Sequence, residues 1–320
     1  MPLQAAAAPT QAVTTPLYLD EARVRAHLRM ADLIPAMEKA LIDFSAGKVT
    51  QPVRSIIEVN PPGGFMGLMP ALAEGLGVKI VTFYPPNAER GIPTHMATIF
   101  LADPETGAPL AIMDGRLITE MRTAAVSAVA TKLLAKEDAS VLAILGSGVQ
   151  ARSHVEALRL VRKFTEIRVW SQTSAHAESF AKEIGAKVMP AEAAVRDADV
   201  VVTVTSSTMP VLQGSWLKPG SHVNAIGACR PDWRELDDEA MGNVIFVDSR
   251  AAALQESGDV LLSGAKIHAE LGEALAGKAT TRANETTIFK SLGMAVEDIA
   301  AGMLVYRSCC DVNHESVRQA

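Results

Sequence analysis

A glycine-rich turn between an apolar strand and a helix constrains this chain more than any other feature. Gly146-Ser-Gly-Val-Gln-Ala151 has the pattern G-x-G-x-x-A, and it follows the apolar run Val141–Leu145 and precedes a helical pattern over Val149–Val161. In such turns the first glycine permits the bend, the second admits a pyrophosphate, and the small last residue packs helix on strand. A plain glycine turn is the simpler alternative. Within a complete strand–helix–strand unit, however, the pattern favours a dinucleotide site.

The sequence on the two sides of residue 139 has two different patterns. From Ser140 onward strands alternate with helices, and runs such as Val200–Val202 are continuously apolar, as in a parallel sheet covered on both faces. Before residue 139, the amphipathic segment Asp32–Phe44 is followed by short β-rich runs, including a hairpin around Thr106-Gly107. The 320 residues therefore predict an α/β protein: a doubly wound domain plus an α+β domain of antiparallel strands with one covered face.

Composition excludes several classes of function. The net charge of -6 and the 4% of aromatic residues argue against nucleic-acid binding, and no apolar run is long enough to cross a membrane. Three cysteines, Cys229 and the pair Cys309-Cys310 in a polar tail, cannot form a disulfide framework, and no residue cluster has metal-ligand spacing. Residues 1–16 lack the features of a secretory signal and predict a flexible arm. We therefore predict a cytoplasmic protein with a small polar ligand and no metal.

The end of the second predicted strand of the α/β half bears on the choice of cofactor. Trp170 is followed by Ser171, Gln172 and Thr173, where an acidic residue is typical of NAD sites and an arginine of NADP sites. Neither type is present. Because an acid would repel a 2′-phosphate, its absence favours NADPH, with NADH as the alternative and these three side chains as hydrogen-bonding candidates.

Three basic residues lie in otherwise apolar or small settings: Arg54, Lys79 and Arg122. A buried cation is unfavourable unless an anion meets it, so the three together could bind a substrate carboxylate. Taken singly, each is more often exposed or ion-paired. By the same reasoning Glu297 and Asp298 are interpreted as surface charge at a helix start.

Several motifs spread along the chain resemble the ornithine cyclodeaminase/mu-crystallin family, closest to its mu-crystallin branch. The resemblance runs from about Tyr18 to Tyr306. The motifs that carry it are Gly75–Val81, Thr106–Ala111, Ile118–Ser127, Gly146–Ala151, Asn224–Asp237, Glu256–Val260 and Phe289–Asp298.

The resemblance implies the domain organisation and a homodimer. Residues 17–125 would form a substrate-binding and dimerisation domain, completed by residues 291–308, whose helix returns to it. Residues 126–290 would form a Rossmann domain for a nicotinamide cofactor, and residues 309–320 a C-terminal tail.

The resemblance also implies residue roles. Arg54, Lys79 and Arg122 would form the catalytic and carboxylate-binding site, joined by Cys229 on the substrate side. Around the cofactor it places Thr123, Gly146, Ser147, Gly148, Val149, Gln150, Ser171, Gln172, Thr173, Thr205, Ser206 and Ala228.

One departure from the family pattern bears on the activity. Where the cyclodeaminases have an aspartate, this chain has Ala228-Cys229, and an unperturbed thiol, with a pKa of about 8.5, supplies little base at neutral pH. The resemblance therefore implies an NAD(P)H-dependent ketimine reductase that converts Δ1-pyrroline-2-carboxylate or Δ1-piperideine-2-carboxylate to L-proline or L-pipecolate. The alternatives are an ornithine cyclodeaminase, an alanine or N-alkyl-amino-acid dehydrogenase and, in another class, a mu-crystallin-like binding protein.

Overall fold

The computed structural model describes residues 15–280 and 284–318, with side chains described as far as residue 311. Residues 1–14 of the predicted arm lie outside this range. The first half contains β1 (Leu17–Leu19), α1 (Glu21–His27), α2 (Met30–Ser45), β2 (Ser55–Val59), β3 (Gly64–Leu72), β4 (Leu76–Phe83), β5 (His95–Ala102), β6 (Pro109–Asp114) and α3 (Arg116–Leu134), with a 3-10 helix at Pro85–Arg90.

The second half alternates strands and helices. It contains β7 (Val141–Leu145), α4 (Val149–Arg159), β8 (Glu166–Trp170), α5 (Ser174–Ile184), β9 (Lys187–Val188), α6 (Ala191–Val195), β10 (Val200–Thr203), β11 (His222–Ala225), α7 (Asp238–Met241), β12 (Val244–Val247), α8 (Arg250–Glu256), α9 (Gly258–Ser263), β13 (Ile267–Glu270), α10 (Leu271–Leu275), β14 (Thr287–Lys290) and α11 (Ala295–Arg318), with a 3-10 helix at Gly214–Trp216.

The strands form two sheets. The first has the order β1-β6-β5-β4-β3-β2 and is antiparallel except for the parallel pair of β1 and β6. The second has eight parallel strands in the order β13-β12-β14-β11-β10-β7-β8-β9. The chain order reverses between β7 and β10, and open parallel sheets bind ligands at such a point, outside the carboxyl ends of the strands. The predicted fold class is confirmed.

The first sheet has one covered and one open face, as its alternating sequence predicts. On β4, Val81 is buried while Ile80 is 39% exposed, and on the next strands Ile99 and Met113 are buried while Ile112 is 37% exposed. Helices α2, α3 and α11 pack on the covered side. The hairpin around Thr106-Gly107 is confirmed by the antiparallel pairing of β5 with β6.

Helix α3 connects the two halves without a break. It packs against α2 and β5 on one side and against α4 and β11 on the other. The domain boundary predicted between residues 125 and 126 therefore falls inside a continuous helix. Asn224 on β11 donates to Thr131 Oγ1 at 2.9 Å and Ser127 Oγ lies 2.9 Å from His154 Nε2, so buried polar contacts also hold this helix on the second sheet.

The chain end differs from the predicted tail. Helix α11 runs through Arg318 instead of ending at Tyr306, and Cys309 on it is only 3% exposed. The interpretation of Cys309 as part of a polar tail is wrong, because the helix carries that side chain into the apolar contact with the first half.

Candidate functional site

The glycine turn lies at the switch point of the parallel sheet. Gly146 has a φ of +132°, and a Cβ built on it would lie 2.6 Å from the carbonyl oxygen of Val204, which follows the neighbouring strand β10. A side chain is therefore excluded there. A Cβ built on Gly148 would meet nothing within 4 Å, so its backbone borders open space. Gly148 is the N-cap of α4 and no side chain caps the helix, which leaves its first N–H groups for an anion such as a pyrophosphate.

A cavity of about 790 Å³ lies between the two sheets. It brings together ten of the residues singled out from the sequence: Arg54, Lys79, Arg122, Thr123, Val149, Gln150, Thr205, Ser206, Ala228 and Cys229. Six others lie outside the cavity lining, in the glycine turn and after β8: Gly146, Ser147, Gly148, Ser171, Gln172 and Thr173. Ser147 Oγ donates to Ser171 Oγ at 2.9 Å, which joins these two segments, and Gln172 and Thr173 are exposed.

Lys79 points into the covered side of the first sheet and is 2% exposed. Its Nζ lies 2.6 Å from Asp298 Oδ2. Burial lowers the pKa of Lys79 to about 8, and the attraction of Asp298 partly opposes that shift. Lys79 is therefore charged at neutral pH but titrates well below an ordinary lysine.

Arg122, in the middle of α3, is buried against the same acidic pair. Its Nε donates to Asp298 Oδ1 at 2.9 Å and its Nη1 to Glu297 Oε2 at 2.8 Å. Both acids are 0% exposed, so the interpretation of Glu297 and Asp298 as surface charge is wrong. Gly293 makes room for the guanidinium, because a Cβ built there would lie 2.4 Å from Arg122 Nη1.

Arg54 is held by a second acid and by a loop. Its Nε lies 3.0 Å from Glu256 Oε1, and its Nη2 donates to the carbonyl oxygens of Leu292 and Gly293 at 2.9 and 2.8 Å. The buried Asp248 fixes that loop, since its Oδ2 accepts from the backbone N–H groups of Leu292 and Gly293 at 2.6 and 2.7 Å. Each of the three predicted cations thus already has a carboxylate partner.

The ion pairs leave some donors unused. Among the described residues, Arg54 Nη1 and Arg122 Nη2 have no hydrogen-bond acceptor, and Lys79 has further N–H groups beyond its contact with Asp298. These donors belong to residues that line one cavity. The arrangement can therefore bind a small carboxylate by charge-assisted hydrogen bonds.

A buried polar network that the sequence did not reveal supports the part of the cavity next to β10 and β11. Glu235 accepts from Thr205 N at 2.6 Å and from Gly227 N at 2.7 Å, and Lys290 lies 3.0 Å from Asp259 Oδ2 and donates to the Gly227 carbonyl. Burial raises the pKa of Glu235. Since Thr205 and Gly227 line the cavity, this network fixes the backbone there.

His95, Cys229 and Arg230 also line the cavity. Burial lowers the pKa of His95 to about 4, so the ring is neutral at pH 7. Cys229 is exposed to the cavity. Arg230, which sequence reasoning missed, lies with its guanidinium carbon 5.1 Å from the Phe65 ring centre and 5.3 Å from that of Trp233. The contact with Phe65 joins the loop after β11 to the first sheet, whereas the contact with Trp233 lies within that loop.

No described helix is both long and apolar enough to span a membrane. Within residues 15–280 and 284–318, no group of three or more His, Cys, Asp or Glu side chains is placed to hold a metal ion.

The fold and the cavity together define a class of protein. In this class, a parallel sheet of the dinucleotide-binding type has its switch point next to a second sheet, and the second sheet contributes buried cations to the cavity between them. The model of the ornithine cyclodeaminase/mu-crystallin family matches residues 15–313, and the chain belongs to this family. The family predicted from the sequence motifs is thereby confirmed.

Similar proteins and solved structures cover nearly the whole chain. The mouse (Mus musculus) ketimine reductase mu-crystallin is 51% identical over 304 residues, which are 92% of this chain and 97% of that protein. The structure of Thermococcus litoralis Δ1-pyrroline-2-carboxylate reductase with NADH and L-proline is 37% identical, has a TM-score of 0.88, and covers 93% of this chain and 98% of its own. An archaeal alanine dehydrogenase dimer with bound NAD is 35% identical, with a TM-score of 0.89 and coverages of 93% and 97%.

Proposed function

We propose that this protein is an NAD(P)H-dependent ketimine reductase that reduces Δ1-pyrroline-2-carboxylate and Δ1-piperideine-2-carboxylate to L-proline and L-pipecolate. One observation carries the proposal: Arg54, Lys79 and Arg122 line the same cavity as Gln150 and Thr205, which border the switch point of the parallel sheet. A carboxylate and a nicotinamide ring would thus meet in one cavity. The similarity to a ketimine reductase and to a pyrroline-2-carboxylate reductase supports this assignment.

The glycine turn and its surroundings fit a dinucleotide. Open space beside Gly148 and the uncapped start of α4 suit a pyrophosphate, while Thr123, Ser206 and Ala228 line the cavity beside the proposed nicotinamide position. When bound, the cofactor supplies the hydride.

The roles of the chain's own residues follow from the contacts. Arg54 Nη1, Arg122 Nη2 and the Lys79 ammonium would hold the substrate carboxylate and so fix the C=N carbon in front of the nicotinamide, where orientation supplies much of the rate. A protonated imine needs only hydride to become the amine. When the imine binds unprotonated, Lys79 is the group placed to donate the proton.

The choice between NADPH and NADH is a separate proposal. We propose NADPH, because Ser171, Gln172 and Thr173 put no carboxylate after β8 that would repel a 2′-phosphate. The structural relatives named above contain NADH or NAD, which makes NADH the alternative.

A spectrophotometric panel tests activity and cofactor together. Five- and six-membered cyclic imino acids, ornithine, and pyruvate with ammonia or methylamine are each assayed with NADH and NADPH. We expect cyclic imines with NADPH to be the fastest pair and ornithine to release no ammonia, because Cys229 stands where a carboxylate base would be needed. Ammonia release from ornithine would contradict the reductase assignment, and pyruvate as the best substrate would favour an alanine dehydrogenase. Faster oxidation of NADH throughout would overturn the cofactor preference.

We further propose a homodimer formed through the open face of the first sheet. Paired positions across β1, β6, β5 and β4 present Tyr18, Ile112, Phe100 and Val78 on that face, and Tyr18 is 71% exposed. Apolar sheet faces of this kind mark interaction sites, and the similar archaeal alanine dehydrogenase is a dimer. A second copy of this chain is the proposed occupant.

The dimer can be tested by light scattering after size exclusion. Ile112→Glu should shift the mass from two chains to one, because it buries a charge in the proposed interface. Leu262→Glu is the matched control, since Leu262 is 56% exposed on α9 and outside this face. A monomeric wild type, or a dimer that survives Ile112→Glu, would contradict the proposal.

A further inference from the structure

The charges around Arg122 are balanced before any ligand binds to the cavity. Five cations line it. Four of them have at least one carboxylate partner: Arg54 with Glu256, Lys79 with Asp298, Arg116 with Glu120 and Glu21, and Arg122 with Glu297 and Asp298. The fifth, Arg230, lies against the rings of Phe65 and Trp233. Lys79 and Arg122 with Glu297 and Asp298 form a buried cluster of two cations and two acids. A substrate carboxylate at Arg122 therefore adds a negative charge to a cluster that has no net charge. Such a charge is unfavourable in a low dielectric unless a proton accompanies it.

Glu297 is the acid whose contacts are least complete. Its Oε2 accepts from Arg122 Nη1 at 2.8 Å and from Met294 N at 3.1 Å, whereas its Oε1 is fully buried with no hydrogen-bond donor among the described residues. A buried carboxylate oxygen without a donor destabilises the ionised form. Burial raises the pKa of Glu297 to about 7.

The charged groups around Glu297 act on its pKa in opposite directions. Arg122 from α3 attracts its charge, but Asp298 on α11 and Asp248, which follows β12, both repel it. Asp298 cannot take the proton as readily, because Lys79 and Arg122 hold both of its oxygens and keep the pKa of that carboxyl below its usual range. Asp248 is likewise held by backbone donors.

We propose that Glu297 takes up one proton from solvent when a substrate carboxylate binds Arg122, and returns it when product leaves. Glu297 is thus a positioning residue that acts through Arg122. In the empty site Glu297 and Asp298 together balance the charges of Arg122 and Lys79. Once Glu297 is protonated, Asp298 alone faces these two cations, and one net positive charge is left for the ligand. The inference rests on the proposed function only in assuming that a carboxylate binds at Arg122.

Isothermal titration calorimetry with pyrrole-2-carboxylate measures the proton directly. This planar, stable molecule has one carboxylate and no basic nitrogen, so any proton taken up near neutral pH enters the protein. With NADPH-saturated enzyme at pH 7.5, titrations in buffers of different ionisation enthalpy should show uptake on the order of 0.5 proton per site. The Kd should rise with pH above 7, by at most about tenfold per unit.

Three variants identify the side chain that takes up the proton. Glu297→Gln should remove most of the uptake, leaving at most the smaller share that Lys79 takes up at this pH, while Lys79→Arg and Glu256→Gln should retain most of it. The second and third variants test two other groups whose pKa values are shifted by burial, Lys79 downward and Glu256 upward. Uptake that persists undiminished in Glu297→Gln, or that disappears in either of the other variants, would overturn the inference.

A spectroscopic measurement on the wild-type protein tests the protonation of a carboxylate without relying on any variant. Infrared difference spectra should show a protonated carboxylic acid band appearing when pyrrole-2-carboxylate binds, and no such band would count against Glu297. Imine reduction is assayed on the same preparation. Proton uptake without imine reduction would refute the reductase and leave the inference standing, whereas imine reduction together with ligand binding but no proton uptake would do the reverse.

Discussion

Replacing Arg122 with alanine should lower kcat/KM for cyclic imines by about 10²–10³-fold, mainly through a higher KM. The change removes a guanidinium that would bind the substrate carboxylate. It also leaves Glu297 and Asp298, both fully buried, with one of their cations missing. Removing one partner of a buried pair typically lowers the free energy of unfolding by about 3–5 kcal/mol. We therefore expect a weaker enzyme that also unfolds at lower denaturant concentration.

The control is an arginine whose ion pair lies in solvent. Arg196 contacts Glu192 at 2.6 Å, but both side chains are more than half exposed, so Arg196→Ala should change stability by about 1 kcal/mol or less and leave KM unchanged. Arg122→Lys should have a KM and a stability between those of the wild type and of Arg122→Ala, because lysine keeps the positive charge but loses the planar, bidentate hydrogen-bonding geometry of the guanidinium. Steady-state kinetics and urea unfolding on the four proteins measure both effects. An Arg122→Ala protein with wild-type KM and wild-type stability would show that this residue neither binds substrate nor neutralises the acids.

The parallel sheet could be predicted from sequence because its signals are local. Val141–Leu145 and Val244–Val247 are continuous apolar runs, and the structure has strands with these same bounds. Strand β14 was missed, since Thr287–Lys290 is four residues long and becomes a strand by insertion between β11 and β12. In the first half, β3 contains Gly64 and Pro70, residue types common in turns, and its extended form depends on pairing with β2 and β4 at its two edges.

The cations of the site could be predicted from the sequence, but their acidic partners could not, because ion pairs between distant residues leave no local signal. Arg54, Lys79 and Arg122 stand out as cations in apolar sequence, and they do lie in one cavity. Their acidic partners are far away in the chain: Glu297 and Asp298 open a helix, where exposed acids are common. A buried cation needs an anionic partner, so acidic partners for these residues could be expected. The sequence does not show which acids they are.

A second large effect is expected at Lys79 and concerns pH. Because burial lowers its pKa to about 8, Lys79 loses its proton and its charge as the pH rises through that value. A carboxylate is then held by fewer cations, and any proton donation from Lys79 stops. We expect kcat/KM for imine reduction to fall above pH 8 in the wild type. Lys79→Met, which keeps the length without the charge, should be reduced by about 10²–10³-fold at pH 7.

Lys79→Arg separates the two roles proposed for this residue, because an arginine stays charged throughout the measured range. A pure carboxylate-binding role predicts that Lys79→Arg keeps a near-normal KM and shows less decline above pH 8 than the wild type. A proton-donating role predicts a low kcat at every pH with KM retained, since a guanidinium does not release its proton. Titration of the imine itself is common to all variants and cancels in the comparison. Identical pH profiles for wild type, Lys79→Met and Lys79→Arg would show that Lys79 takes no part in the reaction, and the carboxylate would then depend on Arg54 and Arg122 alone.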